Sequence, residues 1–329
     1  MNNILMITTG GTIASLSGQN GLTPAISSDE LLTFVPELTE ICKVDTLQLY
    51  NLDSTNIGPD QWVGIVECIR DHYADYDGFV ITHGTDTMAY TAAALSYLIQ
   101  NPDKPIVLTG SQKSVYNRDT DARNNLLRAF LYASSDVAWG VQIVFDTSVI
   151  LGTRARKVRS KSFNAFSSIN YPETAVFRDM KLVPFLPKPQ YCYPPRFDTK
   201  LDSKVFTLRL LPGMSGDIFD YLIPHYNGLI IEGFGMGGLP TLEPSMVEGL
   251  GRWTKAGRLT VFSTQVQNEG SDLSIYEVGR VAKELPDVLE AHDMTPEAVV
   301  TKLMWALGQG ANQTEARRLF STPIQFDLI

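Results

Sequence analysis

The chain has 329 residues, 44% of them hydrophobic and 19% charged, and this excludes disorder as the main state because there is ample apolar surface to offset the entropy of ordering. Lys and Arg number 27 against 36 Asp and Glu, a formal net charge of −9, which argues against nucleic acid or an anionic membrane as the main partner. Cys42, Cys68 and Cys192 form no C-x-x-C pair, no apolar run approaches the roughly 18 residues of a membrane helix, and the opening MNNILMITTGG has no basic signal-peptide segment; the expectation is a reduced, cytoplasmic protein of about two domains.

In chain order, the first predicted strand is Ile4–Ile7, closed by Thr8-Thr9-Gly10-Gly11. A helix pattern over 60–73 opens after Pro59 and carries Val63, Val66 and Ile69. Strands are predicted at 78–82, 105–109 and 141–145, closed by His83-Gly84, Gly110-Ser111 and Asp146-Thr147. Short, continuously apolar runs of this kind read as buried parallel strands. Helices are predicted over 86–99, where Leu95, Leu98 and Ile99 fall at i, i+3, i+4, and over 121–132, with Leu126, Leu127, Phe130 and Leu131. Strand–helix alternation with short connections implies an α/β fold with a mainly parallel sheet. Residues 184–195 carry five prolines, which cannot continue a helix or a central strand, so an extended linker is expected. The alternation then restarts, with strands at 205–211, 229–232 and 260–264 and helices at 243–255 and 295–307. Thr295 should cap the last helix, Pro296 should occupy its first position, and Gly308 should stop it. The expected organisation is a catalytic α/β domain at 1–183, a linker at 184–204 and a smaller C-terminal α/β domain at 205–329.

In parallel sheets, ligands sit beyond the carboxyl ends of the strands, and three polar clusters fall there or close by. Thr8-Thr9-Gly10-Gly11-Thr12-Ile13-Ala14 combines a glycine turn with a hydroxyl beside exposed backbone N–H groups. Its spacing fits neither dinucleotide-binding nor P-loop motifs, and a threonine is a weak nucleophile without a base. His83-Gly84-Thr85-Asp86-Thr87-Met88 lies between strand and helix. Thr85 or Asp86 is suited to capping the helix, yet capping does not require so many hydroxyl and carboxylate groups in one turn. Arg154-Ala155-Arg156-Lys157-Val158-Arg159-Ser160-Lys161 reads as a solvated basic face, from which one cation reaches the same pocket. The four histidines are scattered, with no metal-ligand spacing, so no catalytic metal and no cofactor is expected. No G-x-S-x-G elbow occurs.

Thr9-Gly10-Gly11-Thr12-Ile13-Ala14 and His83-Gly84-Thr85-Asp86-Thr87-Met88-Ala89 together resemble the asparaginase/glutaminase family, specifically its bacterial cytoplasmic type I members. Asp53-Ser54, Thr109-Gly110-Ser111-Gln112, Lys157, Ser274-Ile275-Tyr276-Glu277-Val278-Gly279 and Leu303-Met304-Trp305 extend the resemblance over the whole chain. It implies hydrolysis of L-asparagine to aspartate and ammonia, with Thr12 as nucleophile and a β-aspartyl-enzyme intermediate. It further implies a hydrogen-bonded triad of Thr85, Lys157 and Asp86. Ser54 would take the substrate α-carboxylate and Asp86 its α-ammonium, with Thr55 and Ser111 lining the pocket. The N–H groups of Gly11 and Thr85 would form an oxyanion hole. The family assembles as dimers or dimers of dimers, so a homodimer or homotetramer is expected. Two departures stand out. The loop Ser15–Pro24, expected to act as a lid, holds no tyrosine where the family often has one, and Thr264–Gly270 lacks a cysteine found at some members' regulatory site. Two other readings share the motifs. One is the amidase subunit of a tRNA-dependent amidotransferase, which usually carries an additional amino-terminal region. The other is an asparagine-binding protein without turnover.

Overall fold

The structure, a computed structural model, describes all residues except 19–20, 25–26, 277–278 and 281–287, and leaves the side chains of 16–26 undescribed. Contacts divide the chain into two compact units, Met1–Thr199 and Lys200–Ile329.

The first unit is built on an eight-stranded sheet. In chain order its strands are β1 (Asn3–Gly10), β2 (Lys43–Leu52), β3 (Gly78–Thr82), β4 (Ile106–Thr109), β5 (Val141–Phe145), β6 (Ser148–Leu151), β7 (Ala175–Arg178) and β8 (Lys181–Pro184). Their spatial order is β8-β7-β6-β5-β4-β3-β1-β2. Strands β2, β1, β3, β4 and β5 pair in parallel, as the branched apolar runs led one to expect for β1, β3, β4 and β5; β2, half-buried along most of its length, carries no such run. Every residue of β3, β4 and β5 is buried, the mark of a sheet covered on both faces. The other three strands extend one edge by antiparallel pairing. This edge begins at a tight turn between β5 and β6, where Asp146 takes φ 51°.

Besides the short helices Ser28–Thr33 and Leu38–Ile41, the long helices of this unit are α1 (Pro59–His72), α2 (Met88–Leu98) and α3 (Ala122–Ala133). All of α2 except Tyr90 is buried, so it is an enclosed helix and not the one-sided one that Leu95, Leu98 and Ile99 suggested. Alanines fill most of its circumference, which is why its apolar stripe looked narrow in sequence. Around the proline-rich stretch, β8 ends on Pro184, and Arg196–Phe197 pairs with Ile99–Gln100.

The second unit holds a four-stranded, wholly parallel sheet of β9 (Val205–Arg209), β10 (Gly228–Gly233), β11 (Leu259–Thr264) and β12 (Val288–Glu290), adjacent in that order. Helices α4 (Pro244–Lys255), α5 (Pro296–Gln309) and α6 (Gln313–Ser321) belong to this unit. Leu250 and Trp253 of α4 join Leu229, Ile231 and Phe262 in one buried core. Thr295 caps α5 by accepting from Ala298 N at 3.2 Å. Gly308 does not stop this helix, which runs to Gln309. A Cβ on Gly308 would lie 2.6 Å from Leu201 Cα, so the glycine there admits a neighbouring backbone. Among the described residues no helix is long and apolar enough to cross a membrane.

Candidate active site

The parallel pairing brings the carboxyl ends of β1, β2, β3 and β4 to one edge of the sheet. Thr8 lies opposite Thr82, Thr82 opposite Thr109, and Gly10 opposite Leu52 across a register irregularity. Each strand then delivers one polar loop.

The β1 loop turns on two glycines. Gly10 and Gly11 have φ of 104° and 81°, and Cβ atoms there would lie 2.4 Å from Leu52 O and 2.4 Å from Gly84 N respectively. Only glycine permits both the conformation and the approach. Thr12 follows at the start of a short 3-10 turn, Thr12–Ala14, partly buried and with no hydrogen-bond partner for its hydroxyl among the described residues. The turn is tied down on the far side: Ser15 Oγ donates to Gly11 O at 2.8 Å, and Ser114 Oγ donates to Ser15 O at 2.5 Å. The loop's backbone donors differ from expectation in one respect. The Gly11 N–H already donates to Leu52 O at 2.9 Å, because the irregularity after Thr8 carries the sheet pairing one residue further. The N–H groups of Thr12 and Thr85 have no acceptor among the described residues.

The β3 loop carries a hydroxyl and a carboxylate that meet one lysine. Thr85 is buried, and its Oγ1 accepts from Lys157 Nζ at 2.7 Å and donates to Gln112 Oε1 at 3.3 Å. Lys157 Nζ also donates to Asp86 Oδ1 at 2.6 Å. The lysine side chain is 17% exposed and the aspartate 60%, so the cation is sheltered while its counter-ion faces solvent. Thr87, not Thr85 or Asp86, is the N-cap of α2, and it makes no side-chain cap bond. Its Oγ1 instead donates to Ser54 O at 2.6 Å. Capping therefore does not account for the cluster. Lys157 sits on a short strand, Ala155–Lys157, paired with Phe166–Ser168. Of the basic run, Arg154 is fully buried, over the Tyr171 ring at 5.4 Å, so it is no solvated face there.

The remaining residues close the site. Ser54 is buried, and a Cβ on Gly84 would lie 2.6 Å from its Oγ; the loops of β1, β2 and β3 are thus in direct contact. Asp53 accepts from Thr55 N at 2.9 Å and Thr55 Oγ1 at 2.7 Å, fixing the turn that presents Ser54. Ser111 is buried and donates to Lys113 O at 2.5 Å. Gln112, named in the sequence only as part of a motif, is the residue given no role there that joins the triad. Its backbone N donates to Asp121 and its Nε2 to Ser162 O at 3.0 Å. Burial raises the Asp121 carboxyl above its usual value, partly offset by the N–H groups of Gln112 and Lys113. Among the described residues there is no group of three or more His, Cys, Asp and Glu side chains arranged to hold a metal. Of the expected lid Ser15–Pro24, the side chains from residue 16 on are outside those described, and Glu277 and Val278 of the second-domain motif lie outside the described residues.

Residues 3–189 match the family model described as asparaginase, N-terminal, and residues 204–320 the glutaminase/asparaginase C-terminal domain. The chain belongs to the asparaginase family. It is 41% identical over 323 residues to the L-asparaginase of Thermococcus kodakarensis, covering 98% of this chain and 97% of the relative. It is 34% identical to a glutamyl-tRNA(Gln) amidotransferase subunit from Pyrococcus abyssi, covering 97% of this chain and 75% of that one. Among solved structures, the thermostable L-asparaginase from Thermococcus kodakarensis superposes with a TM-score of 0.92 at 38% identity, over 99% of both chains. L-asparaginase I from Vibrio cholerae gives 0.90 at 27% identity, over 100% of this chain and 99% of that one.

Proposed function

We propose that the chain is an L-asparagine amidohydrolase that works through Thr12. The observation that carries this reading is the sheltered Lys157 Nζ within 2.7 Å of Thr85 Oγ1 and 2.6 Å of Asp86 Oδ1, on the loop that packs against the Thr12 turn. Thr12 Oγ attacks the side-chain amide carbon and the tetrahedral oxyanion is met by the N–H groups of Thr12 and Thr85. Collapse expels ammonia and leaves a β-aspartyl ester, which water cleaves to aspartate. One such N–H donor is worth about 2.7–4 kcal/mol of barrier. Thr85, with Lys157 behind it, moves the proton. No tyrosine of the Ser15–Pro24 loop is available for this, which makes the Lys157–Thr85 pair the main candidate base. Asp86 meets the substrate ammonium and Ser54 its carboxylate, with Thr55 and Ser111 at the wall.

The amidotransferase reading rests on relatives of lower identity, 34% against 41%, and is second. We read the enzyme as a cytoplasmic homodimer or homotetramer, supported by the family resemblance and checked by light scattering on the purified chain. The deciding assay is ammonia release from asparagine and from glutamine over a concentration series. Asparagine should be turned over. Thr12→Ala and Thr85→Ala should each lose at least about a thousandfold in kcat, as expected for groups acting as a unit. Activity retained in both variants would sink the mechanism.

A further inference from the structure

His83 is fully buried beneath the β3 loop and takes no part in the chemistry above. Its two ring nitrogens have one neighbour each. Nδ1 lies 2.7 Å from Gly84 O, and Nε2 lies 2.9 Å from Thr91 Oγ1 on α2. Thr91 Oγ1 in turn accepts from Trp62 Nε1 of α1 at 3.0 Å. A carbonyl only accepts, so Nδ1 carries a hydrogen and gives it to Gly84 O. Burial keeps the ring neutral, holding the imidazolium form down to a pKa of about 4. Nε2 of this neutral tautomer is bare and accepts from the Thr91 hydroxyl, which in turn accepts from the Trp62 indole N–H.

The consequence lies in the peptide plane that His83 grips. Among the described residues there is no cis peptide, so the Gly84 carbonyl and the Thr85 N–H point in opposite directions from one rigid unit. Clamping the carbonyl against a buried ring turns the Thr85 N–H outward, where it has no acceptor among the described residues. A free loop peptide with a glycine on one side would otherwise be able to flip. We infer that His83 is a positioning residue for catalysis: through the Trp62–Thr91–His83 chain it holds the Gly84–Thr85 peptide so that the Thr85 N–H faces the developing oxyanion.

This rests on the amidohydrolase reading, and the test separates the two. An asparagine side chain places an amide N–H where His Nδ1 sits, whereas a glutamine places its amide at the Nε2 position. His83→Asn therefore keeps the donor to Gly84 O, and His83→Gln leaves that carbonyl without one. On asparagine, His83→Gln should lose roughly ten- to a hundredfold in kcat, the scale of a misplaced reacting group. Its KM should change little, because the lost interaction is made in the transition state. His83→Asn should recover most of kcat. Equal kcat in the two variants, or a loss confined to KM, overturns the inference. Thr12→Ala and Thr85→Ala are run beside them; if those stay active, it is the reading of the site that fails. One measurement needs no variant. Nitrogen-15 spectra of the wild-type histidine ring at pH 7 should show a neutral ring protonated on Nδ1. An Nε2-protonated or doubly protonated ring overturns the inference whether or not the variants fold.

Discussion

In the mechanism we propose, Asp86 serves two cations, Lys157 of its own chain and the ammonium of the substrate. Its geometry allows this: Oδ1 is taken by Lys157 Nζ at 2.6 Å, while the side chain stays 60% exposed and can meet a second positive group. Asp86→Asn keeps the shape and removes the charge. A hydrogen bond to a charged group is worth about 1.5–3 kcal/mol, so KM for asparagine should rise about ten- to a hundredfold. Steady-state ammonia release checks it; an unchanged KM with only kcat lowered would remove Asp86 from substrate binding. Thr12, Thr85 and Asp86 were legible as chemistry because each is a polar residue placed where a parallel strand ends, whereas Lys157, on a short antiparallel strand, was singled out from its basic run through the family resemblance. Gln112 and His83 were not legible in role. A lone amide and a lone imidazole in sequence do not say what they face, and their partners, Ser162 O and Thr91 Oγ1, stand 50 and 8 residues away.

At the level of elements, most buried parallel strands and their helices were read within two or three residues, because continuous apolar runs and proline or threonine starts are local signals, while the parallel strands β2 and β12, with no fully apolar run, were missed. The antiparallel edge β6–β8 was missed. Val149–Leu151 is a three-residue apolar run that follows β5 after a two-residue turn, and β7 and β8 alternate too briefly to announce themselves. Helix α5 carries a second illegible feature. Lys302 sits in the middle of an apolar helix and is completely buried, with Nζ 2.6 Å from the equally buried Asp327 Oδ2 and 2.8 Å from Thr322 O. Asp327 Oδ1 accepts from Ile324 N at 2.8 Å, so the pair fastens the C-terminal tail to its helix. Lys302→Met strands a buried carboxylate and should cost about 3–5 kcal/mol, a drop in Tm of roughly 10 °C. Adding Asp327→Asn removes the charge but keeps an acceptor for Ile324, and should return most of the loss. Thermal unfolding of the three proteins decides it; a single variant as stable as the double would show that the carboxylate is not held in isolation.

For the whole molecule, the net charge of −9 speaks to solubility, whereas acid sensitivity is set by buried groups. Two of these act in opposite directions. The Asp121 carboxyl is raised, mainly by burial, so the folded state favours its protonated form and this group alone weakens folding as pH climbs above 3.8. The His83 imidazole is lowered from 6.5 to about 4, mainly by burial against a smaller opposing effect of Gly84 O. Between those values the unfolded chain takes up a proton that the folded chain refuses. The stability tied to His83 is therefore complete above pH 6.5 and is lost as pH falls toward 4, a total of about 3 kcal/mol at a slope approaching 1.4 kcal/mol per pH unit. Urea unfolding at pH 7, 6 and 5 should show the wild type losing more stability than His83→Asn, whose amide does not titrate. The difference should amount to about one proton. Parallel losses in the two proteins would mean that the ring is charged in the folded state, and with it the assignment of Nε2 as an acceptor from Thr91 would fall.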